Sequence, residues 1–366
     1  LQDNIDGFWI LLHLGYYTLT LCVIIDCVNH LLTDYILKYQ PAVEKELQQV
    51  VALAHLPQDG LFYDMLAYHL GWTGEGAGQK AAGKRVRSLM VLLAAEAAGG
   101  NWQAALPAAA AVELIHNFSL IHDDIEDKSE TRRNRPTLWK KWGVPQAINS
   151  GDAMFTLAHC ASLRLVETIP LEQAFKAFAL IQTTCLKLTQ GQYLDMKFEH
   201  EEQVTLDAYL QMVEGKTAAL FSACMELGAL CAQAMPEQLQ AFSEFGRNLG
   251  LAFQMVDDWL GIWGDEQITG KPNASDILEG KKTLPILYGI MKDGAFAQRW
   301  RQGPIHPEEV KHAAELLREE GAHEFTQTYA DRYTQDALTS LAAVQPRGTA
   351  GEALVELANW LLRRET

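Results

Sequence analysis

The stretch Glu113-Leu-Ile-His-Asn-Phe-Ser-Leu-Ile-His-Asp-Asp-Ile-Glu-Asp127 begins as an apolar helix and ends in a dense acidic cluster, Asp123, Asp124, Glu126 and Asp127. Side chains four apart share a helix face, so Asp123 and Asp127 point the same way, with Asp124 about a third of a turn away. Like charges this close repel by about 1–4 kcal/mol per pair. The next basic residue is Lys128, and the apolar side carries none. Read alone, the run is either a solvated acidic helix end or a seat for a hard, oxygen-seeking cation such as Mg2+. A second stretch favours the cation. Leu249-Gly-Leu-Ala-Phe-Gln-Met-Val-Asp-Asp-Trp-Leu-Gly261 is again an apolar helix that ends in an Asp pair, Asp257-Asp258. Two such helices can face each other across a cavity and hold metal ions between their carboxylates.

The chain around these stretches has 366 residues, 48% of them hydrophobic, enough for a sizeable core and against wholesale disorder. Its net charge of −16 excludes nucleic acid as a partner, since such binding runs on clustered Lys and Arg. A small anionic substrate remains compatible if bound metal and a local basic patch overcome that field. The six cysteines form no CxxC and sit mostly in apolar helical runs, as reduced thiols of a cytoplasmic protein would. From Phe8 to Ile25 there are 18 uncharged residues, just the length of a membrane span. His13, Gly15, Thr18 and Thr20 dilute the run, and Asp3 and Asp6 precede it where a signal peptide would carry positive charge. A packed helix, a foreign extension and a membrane contact through residues 8–25 are the three readings. Residues 1–35 are therefore set apart as an N-terminal apolar extension, and residues 36–366 as one all-α domain.

Within that domain, Pro41 to Leu56 reads as an amphipathic helix. A Gly-rich loop, Gly71 to Gly83, leads into Lys84-Arg-Val-Arg87 and a helix from Ser88 to Ala98, ended by Gly99-Gly100. The next helix runs from about Pro107 to Asp127, followed by a basic loop, Lys128 to Pro136. Further helices are expected over roughly 145–167, 171–197, 205–232, 237–262, 283–292, 307–343 and 350–364. No window alternates as several strands would, and no internal repeat is present.

Basic residues adjoin loops and helix ends near both acidic clusters: Lys84, Arg85 and Arg87, then Arg132 and Arg133, then Lys216, Lys271, Lys281 and Lys282. Singly, each reads as a solvated surface charge. Together with the carboxylates they make a site for diphosphates, in which a metal bridges carboxylate to phosphate and Lys and Arg neutralise the rest. The long apolar helices behind the clusters supply a greasy cavity. A substrate with a diphosphate head and a hydrocarbon tail follows.

At this point the sequence resembles the trans-isoprenyl diphosphate synthases, the family of farnesyl and geranylgeranyl diphosphate synthases, from about residue 36 to the C-terminus. The DDxxD motif is met by Asp123 to Asp127 with Arg132-Arg133 after it, and GKRxR by Gly83 to Arg87, with His116 as the histidine preceding DDxxD. GQ-x-x-D is met by Gly191-Gln192 and Asp195, KT by Lys216-Thr217, and FQ-x-x-DD by Phe253-Gln254 and Asp257-Asp258. GKP is met by Gly270 to Pro272, and GK-x-TLP by Gly280 to Pro285. Three positions depart: Ser88 where the family has Pro, Asn134 where it has Gly, and Gly261 where the second motif has its last Asp.

The resemblance implies an isoprenoid synthase fold, a helical bundle around a central cavity, assembled as a homodimer. It implies that Asp123, Asp127 and Asp257 hold Mg2+, three ions per site, on an allylic diphosphate touched also by Arg132, Lys216 and Lys271. Lys84, Arg87, His116 and Arg133 would hold isopentenyl diphosphate. Asp124, Asp258, Thr217 and Gln254 complete the catalytic set, and Gln192 and Lys281 the substrate-binding set. Phe118, five residues before Asp123, would floor the cavity, with Ser119 leaving room beside it and Ile115 a turn further down. Phe118 with no insertion inside DDxxD resembles the geranylgeranyl synthases and implies a C20 product. C15 is the alternative product. Other readings of the chain are a class I terpene cyclase, which lacks a second diphosphate site, and a non-catalytic subunit of a heteromeric synthase, with an aspartate motif lost.

Overall fold

The computed structural model describes residues 30–264 and 274–362. The apolar run 8–25 and Lys271 lie outside the described residues. Helix α1, His30–Val51, passes through the boundary expected between residues 35 and 36. Leu32 and Tyr35 are core residues. The Leu32 amide donates to Glu356 Oε2 at 2.8 Å, and the Tyr35 hydroxyl donates to Glu96 Oε1 at 3.2 Å. Residues 30–35 are thus built into the all-α unit. Pro41, expected to open a helix, sits inside α1 with its ring on the exposed side.

Helix α2, Leu61–His69, and the Gly-rich loop precede α3, Val86–Ala97. Helix α4, Leu106–Glu126, carries the first acidic cluster at its C-terminal end. Its Ala108–Leu114 run is fully covered, since small side chains let neighbouring helices approach closely. Its main neighbours are α3 and α5, Val144–Leu163. Among the described residues, α4 with its leading 3-10 turn is the only helix long and apolar enough to cross a membrane, and most of it is buried inside the protein.

Helix α6 spans Leu171–His200 and α7 spans Leu206–Val213. The helix expected over 205–232 is interrupted by a π turn, Glu214–Ala218, before it resumes as α8, Ala219–Cys231. Helix α8 is apolar nearly all round and lies at the centre, against α3, α6 and α9, Pro236–Trp263. Helix α10, Leu284–Lys292, follows. The helix expected over 307–343 is two, α11, Val310–Glu319, and α12, Ala322–Val344, broken at Gly321 with φ of 89°. Helix α12 packs along α9, and α13, Gly348–Leu362, closes on α3 and α1.

The basic loop is a hairpin. Strands β1, Thr131–Arg132, and β2, Arg135–Pro136, pair antiparallel. Arg133 and Asn134 both take positive φ, 52° and 59°. Two consecutive left-handed residues make the tight turn that suits hairpin twist, and Asn tolerates it better than most side chains. This explains how Asn134 can stand where the family carries Gly.

Candidate active site

The two aspartates at the end of α4 have different surroundings. Asp124 is buried and turned to Arg132, whose Nη2 and Nε lie 2.8 Å and 2.9 Å from Oδ1. Asp123 lies on the cavity side. Burial pushes its carboxyl up to about 6, with Lys216 opposing and Asp127 reinforcing. Asp127 is exposed on the same face. Gln192 Nε2 donates to Glu126 Oε2 at 2.7 Å, which brings α6 to the cluster.

Lys216 faces these carboxylates from the π turn. Burial works against its charge, but Asp195, to which it is ion-paired, and then Asp123 and Asp127 outweigh burial and hold the ammonium above its ordinary value. The turn reaches this position because two glycines meet. A Cβ on Gly191 would stand 2.1 Å from the Lys216 nitrogen, and one on Gly215 would stand 2.7 Å from the Lys187 carbonyl oxygen. The Gly191-Gln192 motif thus serves as a contact surface for the turn that carries Lys216.

Thr217, the next residue, points to the other cluster. Its Oγ1 donates to Gln254 Oε1 at 2.8 Å, and Gln254 Nε2 donates to Asp258 Oδ1 at 2.9 Å. Asp258 also accepts from the Tyr209 hydroxyl at 2.5 Å and from the Leu284 amide at 2.8 Å. Burial pushes this carboxyl up to about 7, against those three hydrogen bonds. The expected pair at the end of α9 is therefore split: Asp257 is exposed, while Asp258 braces α7, α9 and α10 from inside. Thr217, Gln254 and Asp258, expected as catalytic, form one internal hydrogen-bonded chain.

Gly261 ends that face of α9, and the Asp276 carboxylate lies against it. Lys281 completes the rim. Burial opposes its charge, yet Glu279, Asp276 and Asp127 hold it above its ordinary value. Asp127 of the first cluster and Asp276, beside the end of α9, thus both act on one ammonium. Among the described residues no three His, Cys, Asp or Glu side chains already converge as a cation cage.

Beside the first cluster lies a cradle of positive charge. Arg133 Nη1 donates to the carbonyls of Ala81 at 2.8 Å and Ala82 at 2.9 Å. Its guanidinium stacks where a Cβ on Gly83 would be, 2.7 Å away. Burial pushes Arg133 down to about 10, with Arg85, Arg132 and Arg87 adding to the effect and Glu113 resisting it. Arg87 lies 5.3 Å over the Phe221 ring and Lys84 lies 4.4 Å over the Trp360 ring. His116 is held well below its ordinary value by burial, then by Arg87, Arg133 and Arg132.

His69, at the end of α2, lies among the same arginines and is not singled out by the sequence alone. Burial and then Arg133 and Arg132 push it down to about 3, and its Nε2 is buried with no hydrogen-bond partner. Its only signal in the sequence is its place just ahead of the Gly-rich loop. A buried, unpartnered nitrogen among arginines suits a pocket built to donate to an anion.

Arg85, between Lys84 and Arg87, is not in the cradle. It is buried with Glu44 at 2.8 Å and Glu113 at 3.2 Å. Ser88, the departure from Pro, donates to Glu113 Oε2 at 3.1 Å and to the Ala109 carbonyl at 2.9 Å. It ties α3 to α4 directly beneath the cradle.

Below the first cluster, the Phe118 ring meets His122 at 5.4 Å and Phe155 at 5.0 Å, edge to face. Phe155 in turn meets His159 at 4.4 Å, and His159 Nε2 lies 3.1 Å from Gln182 Oε1. Ser119 donates to the His116 carbonyl at 2.9 Å and so folds back on its own helix. Ile115 is fully buried. The packing below Asp123 is thus aromatic between α4 and α5, with Gln182 of α6 bonded to its far end.

A sequence model of the polyprenyl synthetase family matches residues 77–317. A geranylgeranyl diphosphate synthase of Mycobacterium tuberculosis is 40% identical over 309 residues, covering 82% of this chain and 86% of its own. A (2E,6E)-farnesyl diphosphate synthase of the same organism is 38% identical over 311 residues, with the same coverage. The crystal structure of a geranylgeranyl pyrophosphate synthase from Corynebacterium glutamicum, complexed with isoprenyl diphosphate and magnesium, superimposes with a TM-score of 0.78. It is 27% identical and covers 89% of this chain and 99% of its own.

Proposed function

The chain belongs to the polyprenyl synthetase family, and from that premise we propose that it condenses isopentenyl diphosphate with allylic diphosphates to geranylgeranyl diphosphate, C20. One feature supports the condensation: the charged side chains fall into two groups of different build. The first is made of carboxylates with Lys216 and Lys281, the second of Arg87, Arg133, His116 and His69, with Glu113, engaged by Arg85 and Ser88, beneath it.

Mg2+ suits the first site. Asp123 and Asp127, a turn apart, and Asp257 opposite leave room for water and diphosphate oxygens, which is how Mg2+ is usually held. Three ions per site is the count the family resemblance implies. Bound there, Mg2+ would neutralise charge on the departing diphosphate. Lys216 and Lys281 add fixed positive charge at the same place. Arg132, held by Asp124, also acts on Asp123.

In this reading the allylic C–O bond breaks with its electrons leaving on diphosphate. The double bond of isopentenyl diphosphate attacks the allylic carbon, and the released diphosphate takes the proton. The cradle holds the second diphosphate. His116 and His69, neutral among arginines, donate to it without adding charge that must be compensated. A terpene cyclase would have no use for that cradle. Relatives that make C15 and C20 are alike in identity to this chain, so the C20 reading rests on Phe118.

A homodimer accounts for the apolar face of α5 and α6, where Ile148, Leu163, Leu171, Phe175, Leu186 and Tyr193 are exposed. The buried free thiols of Cys185, Cys224 and Cys231 support a cytoplasmic setting. The test is incubation of the purified chain alone with isopentenyl diphosphate, each allylic primer and Mg2+, followed by product-length analysis. C20 as the main product is expected. No product from the single chain would favour a non-catalytic subunit. In the same assay Arg87→Ala is expected to raise KM for isopentenyl diphosphate and leave that for the allylic substrate close to the parent's.

A further inference from the structure

We propose that the ion pair of Glu214 with Arg247 is an outer clamp on the π turn, and that both residues position Lys216 for the diphosphate at the first acidic cluster. The turn, Glu214–Ala218, holds one residue more than a turn of α-helix, and such turns are rare. Its surroundings must therefore keep it in register. Two of its side chains reach α9. Thr217 Oγ1, near the end of the turn, donates to Gln254 Oε1 at 2.8 Å. Glu214, at its start, meets Arg247 in a two-pronged pair: Arg247 Nε donates to Oε1 at 2.6 Å, and Nη2 lies 2.5 Å from Oε2. Arg247 and Gln254 are seven residues apart and so share a face of α9. Gly250 lies on that face between them, where a Cβ would stand 2.7 Å from the Ala218 Cα. One face of α9 thus seats the whole turn: a fork at Arg247, a gap at Gly250 and an amide at Gln254.

Lys216 lies between the two anchors. With Glu214 and Thr217 both held, the turn cannot shed its extra residue without breaking one of them. Released at Glu214, it is free to rewind toward α geometry. That would swing Lys216 about the helix axis by as much as about 100°, the angle of one α-helical residue. The ammonium would then leave Asp195, with which it pairs, and Asp123 and Asp127, which it faces. The Arg247 and Glu214 side chains are 46% and 38% exposed, so the pair adds little to global stability. Its effect is directional, since a bidentate guanidinium–carboxylate contact fixes orientation as well as distance. Neither residue belongs to any of the motifs met in the sequence.

The proposal rests on the diphosphate-synthase reading, and the experiment separates the two. Mn2+ binding in the presence of inorganic pyrophosphate is followed by electron paramagnetic resonance, with no turnover required. Glu214→Gln and Arg247→Met are each expected to weaken binding about two- to fivefold, the range open to a partly exposed ion pair, with the urea midpoint close to the parent's. The reversed pair, Glu214→Arg with Arg247→Glu, is expected to regain most of that loss. In a Lys216→Met background Glu214→Gln is expected to cost nothing further, because the clamp acts through that ammonium. In steady-state assays the single variants are expected to raise KM for the allylic diphosphate and lower kcat, with KM for isopentenyl diphosphate near the parent's. Unchanged binding in both single variants would overturn the proposal, as would an undiminished effect of Glu214→Gln in the Lys216→Met background. If binding followed the expected pattern but the parent made no prenyl product, the reading of function would fall while the clamp stood.

Discussion

Asp123 and Asp124 are adjacent and alike in charge, yet one faces the cavity while the other anchors Arg132. Asp123 titrates near 6, raised by burial from an ordinary value of 3.8. The folded protein thus holds this proton more tightly than the unfolded chain does. The stability that gives is present at low pH and is lost as pH rises from about 4 to about 6. Asp123→Asn is expected to make the metal-free stability curve fall less steeply over that window, measured by urea unfolding at both ends of it, while Asp124 and Asp258, raised by burial to about 6 and about 7, keep part of the slope. The same variant is expected to lower turnover by about 10²–10³-fold with the helical content kept, because on the proposed mechanism Asp123 supplies charge that would hold the metal of the departing diphosphate. On the C20 reading, the size of Phe118 limits the length of the product. Phe118→Ala removes the ring that meets His122 and Phe155, and products are expected to lengthen to C25 or beyond. An unchanged product distribution would show that Phe118 is ordinary core.

At the scale of elements, the acidic ends of α4 and α9 were legible because apolar periodicity and paired aspartates coincide in short windows. The π turn was not legible. One extra residue per turn hardly disturbs a hydrophobic pattern, and Lys216-Thr217 reads as part of an unbroken helix. The break at Gly321 carried a signal, a glycine after Glu319-Glu320, but the flanking helical pattern outweighed it. The inward turn of Asp258 depends on Tyr209 and Leu284, and the filling of the Gly261 gap on Asp276, so neither could be seen along α9 alone. Gly191 makes the turn's position testable. Gly191→Ala sets a methyl group 2.1 Å from the Lys216 nitrogen. Backbone cannot give way cheaply there, so a loss of about 1–3 kcal/mol is expected by thermal or urea unfolding. Activity is expected to fall further than that loss explains, because Lys216 moves with the turn. Normal activity in a folded Gly191→Ala protein would detach the glycine contact from the chemistry.

Across the whole molecule, the fold class followed from composition and period, while the start of the all-α unit did not. Leu32 and Tyr35 look like the tail of an apolar extension, yet they pack on α13 and α3 through Glu356 and Glu96. Removal of residues 1–29 is expected to leave a folded, active protein. Removal of residues 1–35 takes out two core side chains and is expected to cost about 3–6 kcal/mol, read from the urea midpoint. Equal stability of the two truncations would place the core's edge further along α1. The π turn has a consequence at this scale too. Lys216 answers to the carboxylates of α4 and Thr217, one peptide away, to the brace of α9. A displacement of one of these residues is expected to move the other, so that filling the first acidic cluster would change the free energy of filling the second, and the reverse by the same amount. On this reading a titration with Mn2+ and pyrophosphate is expected to be sigmoidal, and a lesion in the turn such as Thr217→Val to make it hyperbolic.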